Sequence, residues 1–89
     1  MRCYLLIFNN LFGSRFEAIE IVKQISIVKS WRCDMPGAIY LKSDSTAQAL
    51  CDAIRKVRSE GRFLVCEVSD NRQGYLTKET WDFLKKDND

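Results

Sequence analysis

An α+β fold is what these residues predict: a four-stranded antiparallel sheet, two helices on one of its faces, and a short C-terminal helix. Three observations carry the prediction. Hydrophobic segments follow one another as strand, helix, strand, strand, helix, strand. Two of the strand segments are apolar at both parities, as a strand covered on both faces must be, whereas another alternates apolar with polar. Each of the two longer helical segments opens on a Ser-x-x-Glu or Ser-x-x-Gln capping pattern. The resulting βαββαβ order is the ferredoxin-like arrangement, in which the first and third strands are central and the second and fourth are edges. At 89 residues the chain makes one domain over positions 1–89 with a small core, so a second copy is a natural source of further buried area.

The elements justify themselves in turn. Cys3 to Phe8 is apolar on both faces and suits the middle of a sheet, and Asn9-Asn10 ends it. Ser14 and Glu17 form a capping box, after which Phe16, Ile19, Val22 and Ile25 recur at a spacing of three and predict one stripe against the sheet. Trp31 to Met35 alternates, which reads as an edge strand with Trp31, Cys33 and Met35 facing the core. Pro36-Gly37 is a turn, and Ala38 to Leu41 is again apolar on both faces. Ser45 and Gln48 cap a second helix whose buried stripe is Ala47, Leu50, Ile54 and Val57, with Gly61 as its C-terminal cap. Phe63 to Val68 is the fourth strand. A tail helix from Thr77 to about Lys86 places Trp81 and Leu84 on one side.

Composition narrows the function classes. A hydrophobic content of 46% against 29% charged residues is that of a globular domain and argues against disorder. The apolar start, Met1 to Phe8, is too short for a signal-peptide core or a membrane span, so a cytoplasmic location without membrane association is expected. A net charge of +2 does not by itself announce a nucleic-acid binder. Cys3, Cys33, Cys51 and Cys66 sit in apolar patterns without a C-x-x-C pair, and the chain has no histidine. They read as reduced thiols used as small hydrophobes; a zinc site lacks its ligand spacing, and a cysteine nucleophile lacks its usual base. Carboxylates are scattered, and no P-loop, G-x-G-x-x-G or other cofactor motif occurs, so no catalytic residue and no cofactor is assigned.

Two groups of residues stand out as candidate contacts. Arg55, Lys56, Arg58 and Arg62 cluster around the end of the second helix. Cations there complement the helix dipole as a solvated face, or contact nucleic-acid phosphates. Trp81 and Leu84 lie on a tail helix too short to be stable alone, so it must pack on its own sheet or on a second subunit. Both central strands are apolar on the face away from the helices, and that face requires a cover from the tail or from a partner.

Tyr4-Leu5-Leu6-Ile7-Phe8-Asn9, Ser30-Trp31-Arg32-Cys33, Ile39-Tyr40-Leu41-Lys42-Ser43-Asp44 and Arg62-Phe63-Leu64-Val65-Cys66 together resemble the small CRISPR-associated endoribonuclease family and its stand-alone relatives of unassigned role. The resemblance implies a ferredoxin-like protomer that forms a homodimer. It also implies a divalent metal held at the dimer interface by an aspartate that ends the first strand. The matching position here is Asn9, which offers one neutral carbonyl oxygen where Mg²⁺ prefers a charged carboxylate. The reading that follows is a small, non-enzymatic, homodimeric interaction protein with a degenerate metal position. The alternative is a nucleic-acid-binding protein or weak Mg²⁺-dependent ribonuclease. A ligand-binding regulatory module has only fold analogy behind it.

Overall fold

A computed structural model describes residues 1–85. Its elements are β1 (Arg2–Phe8), α1 (Arg15–Lys23), β2 (Ser30–Met35), β3 (Ala38–Ser43), α2 (Ala47–Val57), β4 (Phe63–Glu67) and α3 (Lys78–Lys85). The strands form one antiparallel sheet in the order β2-β3-β1-β4, the ferredoxin-like order, with β1 and β3 central. Lys86, the expected end of the tail helix, lies outside the described residues.

Parity sorts the strands between two faces. Tyr4 and Leu6 of β1 stand beside Leu41 and Ile39 of β3 and join Phe12, Ala18, Ile21, Val22, Leu50 and Ile54 in one core beneath α1 and α2. Burying each such side chain contributes about 1.5–3 kcal/mol. The Tyr4 hydroxyl escapes the apolar layer by donating to the Ser45 carbonyl at 2.6 Å. Cys3, Leu5 and Ile7 of β1, with Ala38, Tyr40 and Lys42 of β3, occupy the outer face.

Three local expectations are corrected. The buried stripe of α1 is Ala18, Ile21 and Val22, continued by Ile25, while Phe16 is 72% exposed. A stripe at i, i+3, i+4, i+7 follows the 3.6-residue period, which a strict spacing of three does not. Helix α2 is capped by Thr46, whose hydroxyl accepts from the Ala49 N–H at 3.1 Å; it ends at Arg58 rather than at Gly61, and Val57 is exposed. In β2 a bulge intervenes: Cys33 faces Ile39 but Met35 faces Ala38, so Met35 leaves the core side and turns outward. The Ser14–Glu17 capping box is present as expected.

The chain leaves β4 at one edge of the sheet, and residues 68–77 carry it to β2 at the other. There the Thr77 N–H donates to Asp34 Oδ2 at 3.2 Å. Helix α3 then lies on the outer face with Leu84 buried. No helix among the described residues is long and apolar enough to cross a membrane.

Candidate functional site

Two places on the fold gather the chemically informative side chains. The first is the β1–α1 loop, where Asn9, Arg58 and Arg62 converge. Asn9 Oδ1 accepts the N–H of Phe12 at 3.2 Å and that of Arg62 at 3.0 Å. The Asn9 N–H in turn donates to the Arg62 carbonyl at 3.1 Å. Arg58 donates from Nε to the Phe12 carbonyl at 2.7 Å and from Nη2 to the Leu11 carbonyl at 3.1 Å, and pairs with Glu60 at 3.5 Å. Gly61, with φ +83°, closes the contact: a Cβ there would fall 2.1 Å from the Phe12 nitrogen. The loop is therefore clamped to the α2–β4 connection by side-chain and backbone bonds.

This geometry bears on the metal that the family resemblance implies. The side-chain oxygen of Asn9 already accepts two backbone N–H groups, so its lone pairs are engaged within the loop. A neutral amide oxygen so engaged does not fit a hard divalent cation. Among the described residues no group of three or more His, Cys, Asp or Glu is arranged to hold a metal ion. Arg55 and Lys56 are exposed in the last turn of α2, and among the described residues neither they nor Arg62 make an ion pair. Of the four cations singled out in the sequence, Arg58 alone has its guanidinium bound to loop carbonyls.

The second place is the outer face of the sheet. Its half under α3 is charged. Arg32 Nε donates to Thr80 Oγ1 at 3.1 Å, and Lys42 Nζ sits 4.5 Å from the centroid of the Phe83 ring. Hydrogen bonds from the Thr80 hydroxyl, then from the Thr77 N–H, hold the Asp34 carboxyl below its ordinary pKa. Tyr40, the cross-strand partner of Arg32, is buried, and that burial raises its phenol pKa, with the Asp34 charge adding to the effect. Leu84 lines a cavity of about 320 Å³ at the end of the sheet together with Cys3, Val68 and Arg72. Arg72 donates to the Ser69 carbonyl at 2.8 Å and to the Leu84 carbonyl at 3.5 Å, so it ties the α3 end to the connection after β4. Trp81 is half-buried beside Asp70, Arg72 and Gln73.

The half of the outer face beyond α3 is apolar. Met35, Ala38, Ile7 and Leu64 form one row across all four strands, with Met35 41%, Ile7 43% and Leu64 59% exposed. Leu5 and the exposed Cys66 stand one row further in. Ile7 and Leu64 share a shallow depression of about 380 Å³ with Asn9 and Arg62.

No family model matches the chain, and no curated protein or solved structure is significantly similar to it. The site is therefore read from its own chemistry.

Sequence reasoning singled out Trp81 and Leu84 but not what lies opposite them. Lys42 shares parity with Tyr40, and that was the available signal for a cation on the outer face. Nothing local signals the Asn9 and Arg58 bonds, whose partners lie as far as 53 and 47 residues away. The four cysteines, expected as buried small hydrophobes, are not fully buried: Cys3, Cys33 and Cys51 are half-buried, and Cys66 is exposed on the open half of the outer face.

Proposed function

We propose that the protein is a small non-enzymatic interaction module that works as a homodimer, and that the apolar row Met35–Ala38–Ile7–Leu64 is its self-association surface. The observation that carries this reading is the row itself: three large apolar side chains lie open on a sheet face whose other half is covered. A contiguous apolar patch of this kind on a small domain marks a contact surface. The row contains no charge, so a twofold axis laying it upon itself opposes no like charges. Adjacent β4 is an edge strand, which gives a second copy backbone to meet. The engagement of Asn9 Oδ1 by two backbone N–H groups supports the non-enzymatic part of the reading.

Sedimentation equilibrium tests it. The unaltered protein should give a dimer mass, and Ile7→Asp with Leu64→Asp should give a folded monomer. A monomer at millimolar concentration, or a dimer indifferent to both substitutions, contradicts the reading. A second reading, nucleic-acid binding through Arg55, Lys56 and Arg62, is favoured by their exposure without ion pairs among the described residues. Charge reversal of Arg55 and Arg62 would then lower affinity for RNA or DNA and flatten its salt dependence.

A further inference from the structure

The apolar row does not account for every large apolar side chain left in water. Phe16 and Val57, the latter 40% exposed, line a groove of about 480 Å³ between α1 and α2, on the helix-bearing side of the molecule. Phe12 and Ile21 form its floor. Arg58 lines the same groove and holds the carbonyl of Leu11, itself 71% exposed, at 3.1 Å. Apolar side chains gathered in this way mark a contact surface.

The polar atoms of the groove divide by role. Its donors are committed within the chain. Arg58 places Nε and Nη2 on the Phe12 and Leu11 carbonyls and Nη1 beside Glu60. The Gln24 amide donates to the Glu20 carbonyl at 3.2 Å. Its acceptors are only half used. Glu17 accepts the Ser14 N–H on Oε1, and Glu20 meets Lys23 on Oε2 in a solvent-exposed pair. Each carboxylate thus keeps one oxygen without a hydrogen bond among the described residues. The Ser14 N–H also holds the Glu17 carboxyl below its ordinary pKa, so it stays charged. Arg15 lies 5.5 Å from the Phe16 ring but does not line the groove. The complement of this surface is an apolar body that carries cationic donors.

Length decides which body. The lining runs along α1 from Phe16 to Gln24, roughly 12 Å or about two helical turns. Apolar residues at i, i+4 and i+7 of a second helix span the same length when they insert into a groove. Glu17 and Glu20, three residues apart on α1, would meet two cations on the flank of such a helix, whereas a small amine offers one. We infer that the α1–α2 groove binds an amphipathic helix of a partner protein, with its apolar face on Phe16, Ile21 and Val57 and its Lys or Arg side chains on Glu17 and Glu20. The groove and the apolar row lie on opposite sides of the sheet, so this inference does not rest on self-association.

The experiment uses the full chain and a short synthetic helix of leucine and lysine, with leucine at i, i+3, i+4 and i+7. Amide NMR should show saturable shifts confined to residues 16–24 and 57–58. Phe16→Ser with Val57→Ser should weaken binding about tenfold. Glu20→Lys should weaken it about threefold. If the double variant loses its native amide spectrum, Glu20→Lys alone decides. The same helix with glutamate for lysine, and a scrambled leucine–lysine peptide, should each bind about tenfold more weakly. Equal binding by either control overturns the proposal, as does binding that both variants leave unchanged. Absence of shifts at submillimolar peptide, or shifts centred on Ile7 and Leu64, overturns it too. Groove shifts that follow protein concentration without peptide would assign the groove to a second copy. Binding of 4-phenylbutylamine there as tight as that of the helix would assign it to a small amine. Either result also overturns the inference.

Discussion

Beneath α3 the outer face of the sheet presents Arg32, Asp34, Tyr40 and Lys42; a few residues away the same face presents Met35, Ile7 and Leu64 to water. Burial alone would arrange the cover the other way round, because apolar area removed from water is the main favourable contribution and a buried charge is costly. The difference between the halves shows that specific polar contacts, with Thr77 on Asp34 and Thr80 on Arg32, place α3 together with the burial of Leu84. It also leaves an uncharged row in the right place for a second copy. One half of the face is thus kept covered and polar, and the other open and apolar.

The comparison breaks most visibly if Leu84 is truncated. Leu84 is the large apolar anchor of α3, and Leu84→Ala should cost about 2–3 kcal/mol. The loss should be confined to α3, read as lost protection of its amides with the sheet amides unchanged. A global loss would mean that the tail is integral to the core.

The next effect is smaller. On the open half, Leu64→Ser should change monomer stability by no more than about 0.5 kcal/mol, because its side chain is already mostly in water. The same substitution should weaken self-association, and only the second effect belongs to the proposed dimer.

The pH effect sharpens the comparison most gently. Asp34 has its folded-state pKa depressed, first by the Thr80 hydroxyl and then by the Thr77 N–H. Its contribution is therefore present above the unfolded carboxylate pKa, about 3.9, and is lost as pH falls through the lower folded value. Protection of the α3 amides, taken relative to the intrinsic exchange rate at each pH, should fall on acidification through that window. Asp34→Asn should largely abolish the fall.

The sequence made the layer order legible because period and parity are local properties. Residues apolar on both faces marked β1 and β3 as central, and the alternation of Trp31 and Cys33 marked β2 as an edge. Parity failed where the backbone departs from regularity: one extra residue at Asp34 sends Met35 outward and completes the apolar row. Residue size misled at α1, where the conspicuous Phe16 is exposed and the small Ala18 takes the core position. The candidate site was less legible than the fold. Arg58 carries the same charge as Arg55 and Lys56, and only the Leu11 and Phe12 carbonyls, distant in sequence, set it apart. That the tail needs a partner followed from its length, but its choice of the charged half depends on Thr77, Thr80 and Phe83 meeting residues more than forty positions away.

The central claim is that the open half of the outer face takes a second copy while the half under α3 does not. Methyl NMR followed from micromolar to millimolar concentration tests it most directly. The account predicts that the Ile7, Leu64 and Met35 methyl signals shift with concentration while those of Leu84 and Thr80 stay fixed. Signals from Ile7, Leu64 and Met35 that do not move, or concentration-dependent shifts centred on Leu84 and Thr80, would contradict it.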